Sequence, residues 1–127
     1  TYTLTAIPSF LLMFKADGTT PVLANTTLTL TELKGLKYKT VSNKTGTAVL
    51  SWKIMDNGGT ANGGVNTITE SIAITVNAVN DAPVRTGGTV APLTINEDAA
   101  ITSLGLGSVT YGPGGGADEA SQTLTYT

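Results

Sequence analysis

Short segments in which apolar and polar residues alternate recur along the chain. The opening residues place Tyr2 and Leu4 on one side of an extended segment, and residues 47–55 and 66–77 show the same period of two. This period is typical of strands that bury one face. We expect Trp52 in the core, and no stretch competes with a sustained helical pattern. The alternation therefore predicts an all-β protein.

Weaker patterns and turn signals complete the predicted set of elements. The residue order predicts one helical turn that begins with Thr31 as N-cap and ends at Gly35. Pro21 predicts an edge strand, and Glu70 interrupts an apolar face, so we expect a bulge or the start of a strand near it. The remaining strands are expected over residues 10–15, 21–24, 26–30, 36–39, 90–95, 100–106 and 122–127. Many short strands separated by turns favour a β-sandwich.

Composition and charge remove several classes of partner. Charged residues make up 13% of the chain, well below the roughly 25% of an average globular domain. The net charge is −2, and the seven Lys and Arg residues are scattered, so nucleic acid is not an expected partner. No stretch reaches the ~18 apolar residues that would span a membrane. We therefore expect no nucleic-acid partner and no membrane span in this segment.

The residue types that carry most enzyme chemistry are missing. The chain has neither Cys nor His, which removes thiol nucleophiles and the commonest general base. Glu97 and Asp98 are adjacent, so on a strand they point to opposite faces. The glycine run at residues 112–116 lacks the Lys of a phosphate-binding loop. We therefore expect no enzyme, and any bound metal would need oxygen ligands, which points to calcium.

The two ends of the chain resemble each other. Leu124, Thr125 and Tyr126 end the chain much as Thr1 and Tyr2 begin it. If Tyr126 is equivalent to Tyr2, the repeat period is 126 − 2 = 124 residues. The chain would then span a domain boundary of a tandem array. Chance similarity of two Thr-rich and Tyr-containing strands is the alternative.

Several motifs resemble bacterial cadherin-like and Ig-like tandem repeats of large extracellular surface and adhesin proteins. Residues 74–84 are similar to the boundary motif of these repeats, and residues 96–98 to their early acidic motif. Residues 117–119, placed before Leu124-Thr125-Tyr126, and residues 52–59 resemble two further motifs in the expected order. The resemblance covers most of the chain and implies a cell-surface location.

The resemblance also implies an organisation into parts. Residues 1–79 would be the C-terminal part of one Ig-like or cadherin-like sandwich, residues 80–84 the linker, and residues 85–127 the N-terminal part of the next. Adjacent copies of the repeat would be the partners. The implied function is a structural spacer in an extracellular fibre, stalk or adhesin, with roles in filament assembly or cell adhesion.

Calcium at the junction between repeats is a further implication of the resemblance. Asn80 and Asp81 would meet Asp118 and Glu119 of the following domain, and Glu97 would serve the next junction. The chain departs from the fuller pattern, with Ala78 where calcium-binding repeats carry an Asp in the linker and Glu119-Ala120 where they often carry a second one. The alternative is that Asp81 and Asp118 are solvated or cap turns. No other cofactor is expected.

The segment Phe10–Phe14 is apolar on both strand faces. Its second face is either covered by loops of the same domain or contacts a neighbouring subunit. If Phe10, Leu12 and Phe14 face the core, Leu11 and Met13 become the interface pair. Leu11, Met13 and Phe14 are the candidate interface residues.

Two other functions stay open on the sequence. A carbohydrate-binding module would present a row of exposed aromatic side chains, for which Trp52 and Tyr111 are the test. A pilus-like subunit would complete its neighbour by strand exchange, and the shifted register fits that function too.

Overall fold

A computed structural model describes all residues 1–127 and consists almost entirely of antiparallel strands and loops, as the alternation predicts. It divides into a first unit, Thr1–Ala78, and a second unit, Val79–Thr127. The strands of the first unit are β1 (Tyr2–Ala6), β2 (Leu11–Phe14), β3 (Pro21–Val22), β4 (Thr27–Leu28), β5 (Lys37–Thr40), β6 (Gly46–Met55) and β7 (Thr67–Val76). Those of the second unit are β8 (Val84–Gly87) and β9 (Thr110–Gly112).

A four-stranded sheet with the order β4-β1-β6-β7 forms the larger part of the first unit. Strands β6 and β7 pair without interruption from Gly46↔Val76 to Met55↔Thr67. The bulge expected near Glu70 is therefore absent. Glu70 pairs with Trp52 and is exposed between Ile68 and Ile72 on the same face of β7, so the break in apolar parity is a solvated side chain and not an irregular backbone.

A three-stranded sheet with the order β3-β2-β5 forms the other part. Pro21 lies in the edge strand β3, as expected from its missing N–H. The turn before β3 is closed by Asp17, whose carboxylate accepts the backbone N–H groups of Thr19 and Thr20 at 2.8 Å each. The Thr20 hydroxyl and these N–H groups hold the pKa of Asp17 well below its usual range.

One short helix, α1 (Leu30–Lys34), connects β4 and β5 and ends at Gly35. Its N-cap is Thr29, so the expected N-cap, Thr31, is wrong by two residues. Thr29 is selected because Glu32 lies three positions later and completes a capping box. The Thr29 N–H donates to Glu32 Oε2 at 2.9 Å, and the Glu32 N–H donates to Thr29 Oγ1 at 3.2 Å.

The core of the first unit draws on both sheets. Leu4 of β1 is fully buried and packs in one cluster with Met13, Val22 and Leu28. Six partly buried side chains pack against this cluster: Tyr2, Ile7, Leu33, Leu36, Leu50 and Trp52. Trp52 therefore lies against the core, as its position in the alternating pattern indicates.

Strand β2 does not adopt the arrangement in which Leu12 and Phe14 face the core. Leu11 and Met13 are buried, whereas Leu12 is 49% exposed and Phe14 is half-buried. Phe10 is buried too, but it lies in a turn closed by the Leu11 N–H on the Pro8 carbonyl at 3.0 Å. The alternation starts after this turn, at Leu11, so Leu11 and Met13 point inward. An interface formed by Leu11, Met13 and Phe14 stays a prediction.

The second unit forms far less regular structure than its sequence predicts. Its only ladder joins β8 and β9. Val84, the last residue of the predicted linker, begins β8, and β9 lies partly in a predicted loop. The strands expected over residues 90–95, 100–106 and 122–127 do not form. An isolated extended segment has no partner for its backbone groups, so an apolar pattern alone does not make a strand.

Candidate functional site

An open groove crosses the first unit beside the free edges of β5 and β7. It has a volume of about 840 Å³ and is lined by side chains from both sheets and from α1. Strand β5 contributes Tyr38, and β7 contributes Ile72 and Ile74. Because β5 and β7 each pair on one side only, their outer backbone groups remain free to bind another strand.

The ladder between β6 and β7 explains why the groove is apolar. Leu50 pairs with Ile72, and Ile54 pairs with Ile68. Paired residues lie on the same face of a sheet, so this face carries aliphatic side chains from both strands, interrupted by the Trp52–Glu70 pair. Lys34 is the only charged residue among those that line the groove. The groove offers no acid, base or nucleophile arrangement and suits an extended apolar segment.

The second unit holds a different feature, an acid pair formed by Asp81 and Glu119. Glu119 is the only buried charged residue of the chain, with 2% of its surface exposed. Its Oε1 accepts a hydrogen bond from the Asp81 backbone N–H, while its Oε2 is buried and has no hydrogen-bond partner. A buried oxygen without a donor is costly unless another group satisfies it.

Gly115 brings the two carboxylates toward one place. A Cβ atom at this glycine would lie 2.6 Å from Asp81 Oδ2 and 3.0 Å from Glu119 Oε2. Its φ of 67° also favours glycine. Both carboxylates therefore face the space that the missing side chain leaves. Sequence reasoning did not identify Gly115, although the glycine run that contains it was the available signal.

Asn80 adjoins the acid pair, but its polar atoms are already engaged. Its Oδ1 accepts a hydrogen bond from Gln122 Nε2 at 2.9 Å, and its Nδ2 donates to the Asp81 carbonyl at 3.0 Å. Gln122 was not predicted to take part. The structure thus brings together Asn80, Asp81 and Glu119 of the five predicted calcium ligands.

The other two predicted ligands, Glu97 and Asp118, are exposed and do not join them. No group of three or more acidic side chains close enough to hold a metal ion occurs in the chain. Calcium requires six to eight oxygen ligands. The acid pair therefore fits one side of a calcium site, and water or an adjacent domain would have to supply the rest.

Three aromatic side chains of the first unit line the groove, and of these Tyr2 and Trp52 are half-buried whereas Tyr38 is exposed. Trp52 packs against the core of the first unit. In the second unit, Tyr111 and Tyr126 have ring centroids 6.3 Å apart, with the ring planes inclined by 59°. Such an inclined pair differs from the flat platform expected of a carbohydrate-binding module, and binding of carbohydrate stays a prediction.

Comparison of the chain with protein-family models, curated proteins and solved structures finds no match. The structure contains no helix with the length and apolar character needed to cross a membrane.

Proposed function

We propose that this chain is a structural repeat of a bacterial extracellular fibre, stalk or adhesin, in which Ig-like or cadherin-like sandwiches act as spacers. The observation that carries the proposal is the division into two units between Ala78 and Val79. This division falls within residues 74–84, the segment that resembles a boundary motif between repeats. In the proposed array, the first unit belongs to one sandwich and the second unit to the next.

The chemistry of both units supports a mechanical role more than a catalytic one. The groove is apolar, with Lys34 as its one charged residue. The acid pair is held by the hydrogen bond from the Asp81 backbone N–H to Glu119, which joins two loop segments 38 positions apart. A surface of this kind fits contact between copies of the repeat, in one chain or between subunits.

Calcium at the acid pair would add stiffness to the proposed array. The unpartnered Glu119 Oε2 and the nearby Asp81 Oδ2 are oxygen ligands of the kind that calcium prefers. A cation there would hold residues 80–81 against the loop that contains Glu119. Ordering a linker in this way reduces the freedom of adjacent domains.

The mass of the native protein after full unfolding tests the proposal. A covalent array predicts a denatured mass many times the 12.9 kDa of this chain, with partial proteolysis releasing steps of about one repeat. A denatured mass near 12.9 kDa would contradict the array and indicate separate subunits.

A further inference from the structure

We propose that Asn62 is a site of spontaneous deamidation, and that the fold directs this reaction to Asn62 and away from Asn57. Both residues lie in the loop between β6 and β7, and each begins the same short sequence, Asn-Gly-Gly. Both are exposed, so water reaches either side chain. The inference goes beyond the proposed function and does not depend on it.

The reaction uses the backbone nitrogen of the glycine that follows the asparagine. The Gly63 nitrogen loses its proton to water or hydroxide and attacks Cγ of Asn62, and the new C–N bond closes a succinimide ring. The C–N bond to the side-chain amide breaks, and the amide leaves as ammonia. One water then opens the ring at either carbonyl and yields aspartate or isoaspartate. Glycine favours ring closure because it has no Cβ atom and a freely turning backbone.

A hydrogen bond protects the first of the two Asn-Gly pairs. The Gly58 N–H donates to Asp56 Oδ1 at 2.8 Å. Attack by the Gly58 nitrogen requires that this hydrogen bond break and that the nitrogen become anionic beside a carboxylate. Both requirements oppose the reaction, because a hydrogen bond to a charged group is a strong one and a nearby like charge disfavours ionisation. Asn57 should therefore react slowly in the folded chain.

The second Asn-Gly pair lacks this protection. The short turn Ala61–Gly63 that contains it has no side-chain cap, and Asn62 has the left-handed backbone angles φ 55° and ψ 31°. A Cβ atom at Gly63 would meet nothing within 4 Å, whereas one at Gly58 would lie 3.0 Å from Asp56 Oδ1. Left-handed backbone is less stable for a residue with a side chain, so this turn offers little resistance to the rearrangement.

The modification would stay local to the loop. The ladder of β6 and β7 ends at the pair Met55↔Thr67, and beyond it the Asp56 N–H donates to the Asn66 carbonyl at 3.0 Å. Asn62 lies outside these contacts. Its conversion adds a negative charge, and in isoaspartate an additional backbone carbon, while the ladder keeps its hydrogen bonds.

Peptide mass spectrometry of the aged 127-residue chain tests the inference, since fragmentation locates the change from amide to acid at each asparagine. In buffer, Asn62 should convert at least about ten times faster than Asn57, because breaking a hydrogen bond to a charged group costs that factor or more. In urea the two should convert at similar rates, because the hydrogen bond is lost and the sequence Asn-Gly-Gly is the same at both. The unfolded chain is therefore the internal control.

Two variants test the protecting contact directly. Asp56→Ala removes the acceptor of the Gly58 N–H and should raise the rate at Asn57 to nearly that at Asn62. Glu70→Ala removes another carboxylate of the first unit and should leave both rates unchanged. Both altered positions are exposed, and the fluorescence of Trp52 checks that each variant folds.

Equal rates at Asn57 and Asn62 in the folded chain, or a faster rate at Asn57, would overturn the inference. It would also be overturned by an Asn62 that converts in urea and stays intact in buffer, since the fold would then protect both pairs. A rate at Asn57 that Asp56→Ala leaves unchanged would show that the hydrogen bond to Gly58 does not direct the reaction.

Discussion

The two units contain similar kinds of apolar side chain but treat them differently. In the first unit, Leu4, Met13, Val22 and Leu28 come from four strands and meet in one buried cluster. In the second unit, Leu93, Ile95 and Leu104 remain exposed. The difference follows from strand pairing, because seven strands in two sheets place side chains opposite one another and a single ladder cannot. Hydrophobic content alone therefore does not make a core.

The size and composition of the second unit sharpen this lesson. A segment of about 50 residues usually needs a disulfide, a metal or a partner to fold stably. The chain has no cysteine, so the second unit has no disulfide to stabilise it.

The largest expected contrast between the units comes from shortening one leucine in each. Leu4→Ala should lower the free energy of unfolding of the first unit by about 2–5 kcal/mol, because it leaves a cavity in a fully buried site. Leu93→Ala, at a position 54% exposed, should change stability by less than about 0.5 kcal/mol. Urea unfolding followed by fluorescence of Trp52, the single tryptophan, measures the first unit.

Leu23→Ala, at an exposed position of the first unit, is the control for the loss of a leucine as such. Equal losses for Leu4→Ala and Leu23→Ala would show that the first unit has no specific core. Hydrogen exchange measures the effect of Leu93→Ala on the second unit directly.

Calcium tests the second unit next. If its affinity is in the range of extracellular modules, about 10 mM calcium should stabilise the second unit by about 1–3 kcal/mol. Glu119→Gln should abolish this gain, because it removes one of the two paired carboxylates. Asp118→Asn changes the adjacent, exposed acid and should keep the gain. Hydrogen exchange of residues 79–82 with and without calcium reports the effect.

Equal protection in calcium-free and calcium-containing buffer would reject the cation site. Loss of the effect in both variants would instead indicate general screening of negative charge. In either case, strand pairing alone would explain why the first unit buries its apolar side chains and the second unit does not.

The helix cap predicts a smaller effect, confined to the first unit. Thr29→Ala removes the side-chain acceptor for the Glu32 N–H and should lower the free energy of unfolding by about 1 kcal/mol. Thr29→Ser keeps the hydroxyl and should lose less than half of that. Urea unfolding followed by Trp52 fluorescence compares the two, and an equal loss in both variants would mean that the methyl group matters more than the cap.

Low pH should lower the stability of the first unit, because it protonates Glu32 of the capping box. Hydrogen bonds from the Thr29 backbone and from Lys15, at 2.9 Å, lower the pKa of Glu32 to about 2 from its ordinary 4.5. A carboxyl whose pKa is lowered by folding stabilises the fold above its unfolded pKa. That stabilisation is lost as the pH falls through the folded value. The thermal midpoint should therefore fall between pH 4.5 and pH 2.

Glu32→Gln should lower the midpoint at neutral pH and flatten its fall in acid. Glu70→Gln, at an exposed carboxylate of β7, is the control and should follow the wild-type profile. A wild-type profile in Glu32→Gln would show that the contacts of Glu32 do not stabilise the first unit.

Local pattern was enough to predict the elements whose partners lie close in the chain. Strands β6 and β7 and the edge position of Pro21 follow from alternation and from the chemistry of proline. Local pattern was not enough where a turn shifted the inside–outside alternation of a strand, as at Leu11. It was not enough either where a second threonine offered a better helix cap, as at Thr29. A shift of one residue reverses every side chain of a strand, so Leu11 and Met13 of β2 are buried in place of Leu12 and Phe14.

The candidate sites, too, could be predicted only in part from the sequence. The sequence marked Asn80, Asp81 and Glu119 as acidic or amide residues near a boundary, and the structure brings these three together. Burial of Glu119 and the space at Gly115 arise from contacts between residues 38 positions apart. Such contacts leave no periodic signal in the chain.

By itself, the sequence determined that this protein is built of strands and where most of the strands of the first unit lie. It also excluded cysteine and histidine chemistry. These properties depend only on neighbouring residues and on composition. Only the tertiary structure decided which faces of β2 are buried and that a groove stays open beside β5 and β7. It also decided that residues 90–106 remain without strand partners. The physical reason is that a strand becomes stable only when a second strand accepts its hydrogen bonds and a second surface covers its side chains.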